Sequence, residues 1–143
     1  MDPRAAYTDS PAPRPLFMPY RIFLVEDHPV MREAYGQLVA IEPDLELCGM
    51  SETAEESLTA LEETPCDLVV TDLSLPGMDG IALVREIGAR HPGLPVVVIS
   101  AHEEPSYHER AEAAGARAYL VKRDLAAQLS PTVRQVMASA PSA

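Results

Sequence analysis

Leu68-Val69-Val70-Thr71-Asp72 is a short apolar run that stops on a carboxylate, and three other runs stop on polar chemistry in the same way. Ile22-Phe23-Leu24-Val25 ends in Glu26-Asp27, Val96-Val97-Val98-Ile99 ends in Ser100, and Tyr119-Leu120-Val121 ends in Lys122. Brief runs rich in β-branched residues, bounded by turn formers, read as strands buried on both faces. Laid side by side and parallel, they bring three carboxylates, a hydroxyl and an ammonium to one edge of a sheet. The ammonium is singular, because Lys122 is the one lysine beside ten arginines. Lysine is a mobile point charge where arginine is a rigid fork. That edge is a candidate site.

Between the runs the periodicity changes to that of helices. After strand one, about residues 21–25, Pro29 sits at a first-turn position and opens a helix. In it Val30, Ala34, Leu38 and Ile41 recur near a 3–4 spacing, the apolar stripe of an amphipathic helix. Glu42-Pro43-Asp44 ends it, and strand two takes residues 45–50. Thr53 and Glu56 form a capping box for helix two, which buries Leu58 and Leu61 and stops at Pro65. Strand three spans 68–71 and is followed by the turn Leu75-Pro76-Gly77-Met78. Asp79 caps helix three, with Ile81, Val84 and Ile87 on one face. Strand four is 96–99, helix four runs from Pro105 to Ala114, and Gly115 supplies a left-handed stop. Strand five is 118–121, and helix five carries Leu125, Leu129, Val133 and Val136.

Five strands alternating with five helices predict an α/β fold, a doubly wound parallel sheet covered on both faces. Right-handed crossovers favour the flavodoxin-like strand order 2-1-3-4-5. Ligands of such sheets bind beyond the carboxyl ends of the strands, at the switch between strands one and three. Glu26, Asp27 and Asp72 fall there.

Composition narrows the partners. The 143 residues suit one domain, and 47% apolar with 23% charged residues is a globular profile. A formal charge of −11 argues against direct contact with nucleic acid or an anionic membrane. No apolar stretch approaches the roughly 18 residues of a membrane span, and no charged-then-apolar leader is evident. A cytoplasmic chain is expected, with Cys48 and Cys66 as ordinary reduced thiols rather than a disulfide or zinc site. Residues 1–19 hold five prolines and read as an irregular arm, 20–137 as the folded domain, and 138–143 as a tail. His28, His91, His102 and His108 read as solvated, although His102 stands two residues beyond Ser100.

Three clustered carboxylates repel unless a cation neutralises them or one takes a proton. Magnesium suits such a set, being a hard ion that accepts one or two carboxylates, waters and phosphate oxygens. A carboxylate nucleophile beside a divalent ion, a hydroxyl and an ammonium is equipped to form an acyl phosphate.

At this point the chain resembles the response-regulator receiver family of two-component signalling, over about residues 20–137. The motifs are Val25-Glu26-Asp27-His28-Pro29, Thr71-Asp72-Leu73-Ser74-Leu75-Pro76-Gly77-Met78-Asp79-Gly80, Ser100-Ala101 and Tyr119-Leu120-Val121-Lys122. The resemblance implies that Asp72 is the phosphoacceptor, and that Asp27 ligates magnesium directly while Glu26 acts through water. It also implies that the Ser74 carbonyl completes the ligand set. Ser100 takes the switch-hydroxyl position, Tyr119 the switch-aromatic position, Lys122 that of the phosphate-contacting lysine, and Ala101 the small residue that leaves access. The Asp-His-Pro opening and the Glu-Pro-Asp-Leu-Glu run before strand two are similar to the NarL/FixJ subfamily, whose members usually carry a LuxR-type DNA-binding module.

Three positions depart from the commoner pattern: Glu26 for aspartate, Ser100 for threonine, and Arg123 for the proline after the lysine, where no cis bond is then expected. The implied partners are a sensor histidine kinase and a second copy through the helix four–strand five–helix five face. Only 21 residues follow Lys122, so any transcriptional output is expected from a module outside this chain or from a partner that reads its phosphorylated surface. Two other readings stand beside this one. An aspartyl-phosphate-forming small-molecule phosphatase would need a second acid, and position 74 is serine. A degenerate interaction domain would not need the full set of acids, hydroxyl and lysine.

Overall fold

The computed structural model describes residues 18–139, so most of the proline-rich arm (1–17) and the end of the tail (140–143) lie outside the described residues. Its elements are β1 (Tyr20–Val25), α1 (Pro29–Ala40), β2 (Leu45–Ser51), α2 (Ala54–Leu61), β3 (Leu68–Asp72), α3 (Gly80–Arg90), β4 (Val96–Ser100), α4 (Pro105–Ala114), β5 (Ala118–Val121) and α5 (Leu125–Ser139). All strand pairs are parallel, in the order β2-β1-β3-β4-β5, as the alternation predicts. β3 and β4 each run one residue further than expected, so Asp72 and Ser100 are the last residues of their strands.

Strand alternation divides the core in two. Phe23, Val25, Val69 and Val98 face α2, α3 and α4, meeting Leu58, Ile81, Val84 and Ile87. Ile22, Leu24, Val70, Val97 and Ile99 face α1 and α5, meeting Tyr35, Val39, Leu129 and Val133. Between Ile22 and Phe23 the β1–β2 register slips, leaving Cys48 as an extra residue before Gly49. A Cβ on Gly49 would stand 2.7 Å from the Phe23 ring, so this strand passes the ring only because the position is glycine.

α1 departs from its expected packing. The stripe Val30, Ala34, Leu38, Ile41 forms the inner face only in part: Leu38 packs against the core, but Val30 and Ile41 are 74% and 73% exposed, and the fully buried residues are Tyr35 and Val39. Arg32 sets the rotation. Its guanidinium donates to the carbonyls of Glu26 and Asp27 at 3.1 and 3.2 Å, which turns residues three and seven positions on toward the sheet.

The start of α5 is also tighter than expected, with Lys122–Asp124 forming a 3₁₀ turn first. Pro131 sits inside α5, on its exposed side, where the Ala127 carbonyl left without its N–H partner can meet water. Every described peptide bond is trans, including that before Arg123. At the amino-terminal end of the sheet, Arg134 of α5 grips Asp44 with two hydrogen bonds of 2.8 Å and Glu42 with one of 2.6 Å. Asp44 in turn accepts the Tyr20 N–H through its carbonyl at 2.8 Å, so α5 is pinned to the point where β1 begins.

Candidate functional site

The carboxyl ends of β1, β3, β4 and β5 carry the polar residues that the apolar runs predict. Asp72 closes β3 and is 5% exposed. Its Oδ2 accepts from Lys122 Nζ at 2.9 Å, and its Oδ1 accepts from the Ser74 N–H at 3.2 Å. The Thr71 hydroxyl donates to the Asp72 carbonyl at 2.9 Å and fixes the peptide behind it. A Cβ on Gly80 would collide with that same carbonyl, so glycine at the first position of α3 lets the helix seat directly against the Asp72 backbone.

Glu26 is fully buried beside it. Its Oε2 accepts from the His28 N–H at 3.2 Å, and its Oε1 lies 3.5 Å from Lys122 Nζ without completing a hydrogen bond. Burial, and then the charge of Asp72, push the Glu26 pKa up; the His28 N–H and Lys122 pull the other way and do not prevail. For Lys122 burial favours the neutral amine, but its contacts with Asp72 and Glu26 outweigh that and raise its pKa. Asp27 is partly exposed at the mouth.

Among the described residues, Glu26, Asp27 and Asp72 each bring one carboxylate oxygen within 4.8 Å of the others. Three negative charges against one ammonium leave an excess of two, and Glu26 Oε1 is a buried acceptor without a donor. A divalent cation that prefers oxygen fits this donor set, and the cluster is typical of the magnesium site of receiver domains.

Ser100 ends β4, where its hydroxyl accepts from the His102 N–H at 2.9 Å. Tyr119 of β5 donates its hydroxyl to the His102 carbonyl at 2.8 Å, and also lies within reach of Ser100. The Tyr119 ring stacks on His108 at 5.1 Å between centroids, and the His102 ring on Tyr107 at 4.2 Å. The four side chains join the end of β4 to α4 and β5. His102 and His108 keep 39% and 57% of their side chains exposed, in line with the solvated reading, and each is also half of a stacked pair. Ala101 is exposed at the mouth.

Sequence reasoning missed the supports. Arg32, Tyr35 and Arg134 carry no motif signal of their own, although an arginine five residues beyond an acidic pair, one turn into a helix, is a readable clue. Cys48 and Cys66 are free thiols that interact with each other across β1. Burial pushes Cys66 up to about 12, with Cys48 adding to it, so the pair sits as inert thiols.

A doubly wound sheet with an acid trio and a lysine at its switch point defines a class of protein. Residues 22–134 match the response regulator receiver domain, and the chain belongs to that family. It is 29% identical over 116 residues to the transcriptional regulatory protein DegU of Brevibacillus brevis, covering 81% of this chain and 49% of that protein. It is 34% identical over 102 residues to the uncharacterized transcriptional regulatory protein YhcZ of Bacillus subtilis, covering 71% and 48%. A two-component response regulator of the LuxR family from Aurantimonas sp. SI85-9A1 superposes with a TM-score of 0.82 at 30% identity, covering 87% of this chain and 89% of that one. The chain spans about half the length of the curated relatives it matches. The cluster is that of phosphorelay signalling, and chemistry in such domains is limited to their own phosphorylation and dephosphorylation. None of the described helices is long and apolar enough to cross a membrane.

Proposed function

We propose that Asp72 is the phosphoacceptor of this receiver. The observation that carries the reading is its position: nearly buried, touched by Lys122 at 2.9 Å, and sharing its pocket with two further carboxylates. A carboxylate oxygen of Asp72 attacks the phosphorus of a kinase phosphohistidine or a small acyl phosphate. The bond to the leaving imidazole or carboxylate breaks, and an acyl phosphate remains on Asp72. Asp27, Asp72 and the Ser74 carbonyl would hold magnesium, with Glu26 acting through water; bound there, the ion neutralises charge on the transferring group. Lys122 passes from the Asp72 carboxylate to a phosphoryl oxygen, and the Ser100 hydroxyl donates to a second. Ala101 leaves the approach open.

The switch follows from the same contacts. Drawing the Ser100 hydroxyl inward takes it from the His102 N–H, and the Tyr119 ring then moves into the space released. The surface altered is α4–β5–α5, where a cavity of about 250 Å³ is lined by His108, Glu112, Arg117 and Tyr119. This face is the proposed dimer or output contact, a sensor histidine kinase the proposed donor, and the cytoplasm the proposed location of this chain. Transcription would be regulated through a module outside this chain, because a formal charge of −11 with scattered arginines disfavours contact with duplex DNA. A phosphoester hydrolase is the poorer reading, since the second acid it requires is absent at Ser74.

Intact-mass measurement with acetyl phosphate and magnesium tests this. One base-labile phosphoryl group is expected on the wild type and none on Asp72→Asn, because an amide is not a comparable nucleophile. A wild-type mass that never changes would end the proposal.

A further inference from the structure

Two buried polar atoms near the site have no hydrogen-bond partner: Glu26 Oε1 and the Tyr35 hydroxyl. Both residues are at most 2% exposed, so bulk water does not reach them. They are also neighbours. α1 turns Tyr35 inward beneath β1, and the burial of its phenol together with the charges of Glu26 and Asp72 raises its pKa. The Tyr35 ring belongs to the core, but its hydroxyl, lying near Glu26 and Asp72, is not required for apolar packing. Phenylalanine would fill that space without a buried hydroxyl.

We infer that Tyr35 is a positioning residue for Glu26, its hydroxyl standing ready to donate to Oε1 and hold that carboxylate toward the metal side of the pocket. The inference rests on the receiver reading above, and concerns the acid that distinguishes this chain from the commoner pattern. Lys122 now stands between the two carboxylates, 2.9 Å from Asp72 and 3.5 Å from Glu26. When its ammonium moves onto a phosphoryl oxygen, Glu26 Oε1 loses its nearest cation, and the phenol is the donor left facing it. Aspartate at position 26 would be one methylene shorter and would fall away from the hydroxyl. Glutamate and tyrosine thus act as a pair. Without the hydroxyl, Glu26 swings to Lys122 and the metal side of the pocket loses its second acid.

A double-mutant cycle reads this directly. Magnesium affinity of the unphosphorylated protein is measured by calorimetry for wild type, Tyr35→Phe, Glu26→Asp and the double variant. Tyr35→Phe should weaken magnesium about threefold to tenfold when Glu26 is present, the range of one typical net hydrogen bond, and less than about twofold in the Glu26→Asp background. An equal effect in both backgrounds, or none in either, overturns the pairing. Should Tyr35→Phe fail to fold, the wild type with magnesium and beryllofluoride supplies the second reading by NMR. A slowly exchanging Tyr35 hydroxyl proton, absent without the two additives, supports the pair, and its absence in both states overturns it. The magnesium titration reads the pair even if Asp72 never accepts a phosphoryl group, so the two failures are distinguishable.

Discussion

Two clusters of charge sit at opposite ends of the same sheet and are built on opposite terms. At the amino-terminal end, Arg134 offers a planar fork to Asp44 and Glu42, with three contacts of 2.6–2.8 Å. At the carboxyl end, three carboxylates cluster where one lysine reaches two of them, Asp72 and Glu26, and a buried oxygen of Glu26 finds no donor. The first cluster has arginine, whose geometry matches a carboxylate in both orientation and number. The second has lysine, a point charge that can leave one oxygen for another. Satisfied charge fixes the fold, and charge left in excess provides for a ligand and a change of partner. The comparison separates the ion pair that holds α5 in place from the one proposed to do chemistry, although both are partly buried.

The largest expected effect falls on the satisfied end. Arg134→Met removes the guanidinium facing a carboxylate that is 1% exposed, and should destabilise the domain by about 3 kcal/mol, the lower end for breaking a buried pair because Arg134 itself is partly exposed. Urea unfolding measures it. Phosphorylation of the fraction still folded should proceed at the wild-type rate, and a specific loss of phosphorylation would mean that the two ends are coupled.

At the unsatisfied end the sign reverses. Glu26→Gln removes one of three like charges, so without magnesium it should stabilise the protein by about 1 kcal/mol. The pH dependence follows from the raised Glu26 pKa. The folded state holds a proton that the unfolded chain has already released, so this stability is fully present below the ordinary value of 4.5 and is lost as pH rises through the higher folded value. In chelator, the gap between Glu26→Gln and wild type should therefore be widest at neutral pH and close toward acid. A gap that widens on acidification would show that Glu26 is already satisfied.

How much of this was legible beforehand depends on which interactions are local. Strand ends are local: Leu68–Asp72 announces both a buried strand and its polar terminus, and the parallel order then carries Glu26, Asp27, Asp72, Ser100 and Lys122 to one edge. The capping box is local too, and the Glu56 N–H does bond the Thr53 hydroxyl at 3.0 Å. Arg134 and Asp44 are 90 residues apart, and nothing in either neighbourhood names the other. The meeting of Cys48 and Cys66 depends on a one-residue slip of β2 that the spacing of apolar residues does not encode. α1 fails for a third reason. Two adjacent stripes, Val30-Ala34-Leu38-Ile41 and Met31-Tyr35-Val39, are both apolar, and periodicity alone cannot choose between them.

That choice gives the smallest predicted effect and a control for the comparison. α1 touches both clusters, through Arg32 at one end and the Ile41–Glu42 corner at the other, but its outer stripe belongs to neither. Ile41 is 73% exposed, so Ile41→Gln removes little surface that folding had buried, and the change should stay within about 0.5 kcal/mol. Val39→Ala, two positions away and 3% exposed, deletes core methyl groups and should cost about 2 kcal/mol. The pair of variants reads the rotation of α1 without touching a charge. If Ile41→Gln costs as much as Val39→Ala, the helix is turned the other way, Arg32 no longer reaches the carbonyls of Glu26 and Asp27, and Tyr35 no longer faces the acids. Equal costs would therefore remove the support beneath the unsatisfied cluster while leaving the Arg134 staple intact.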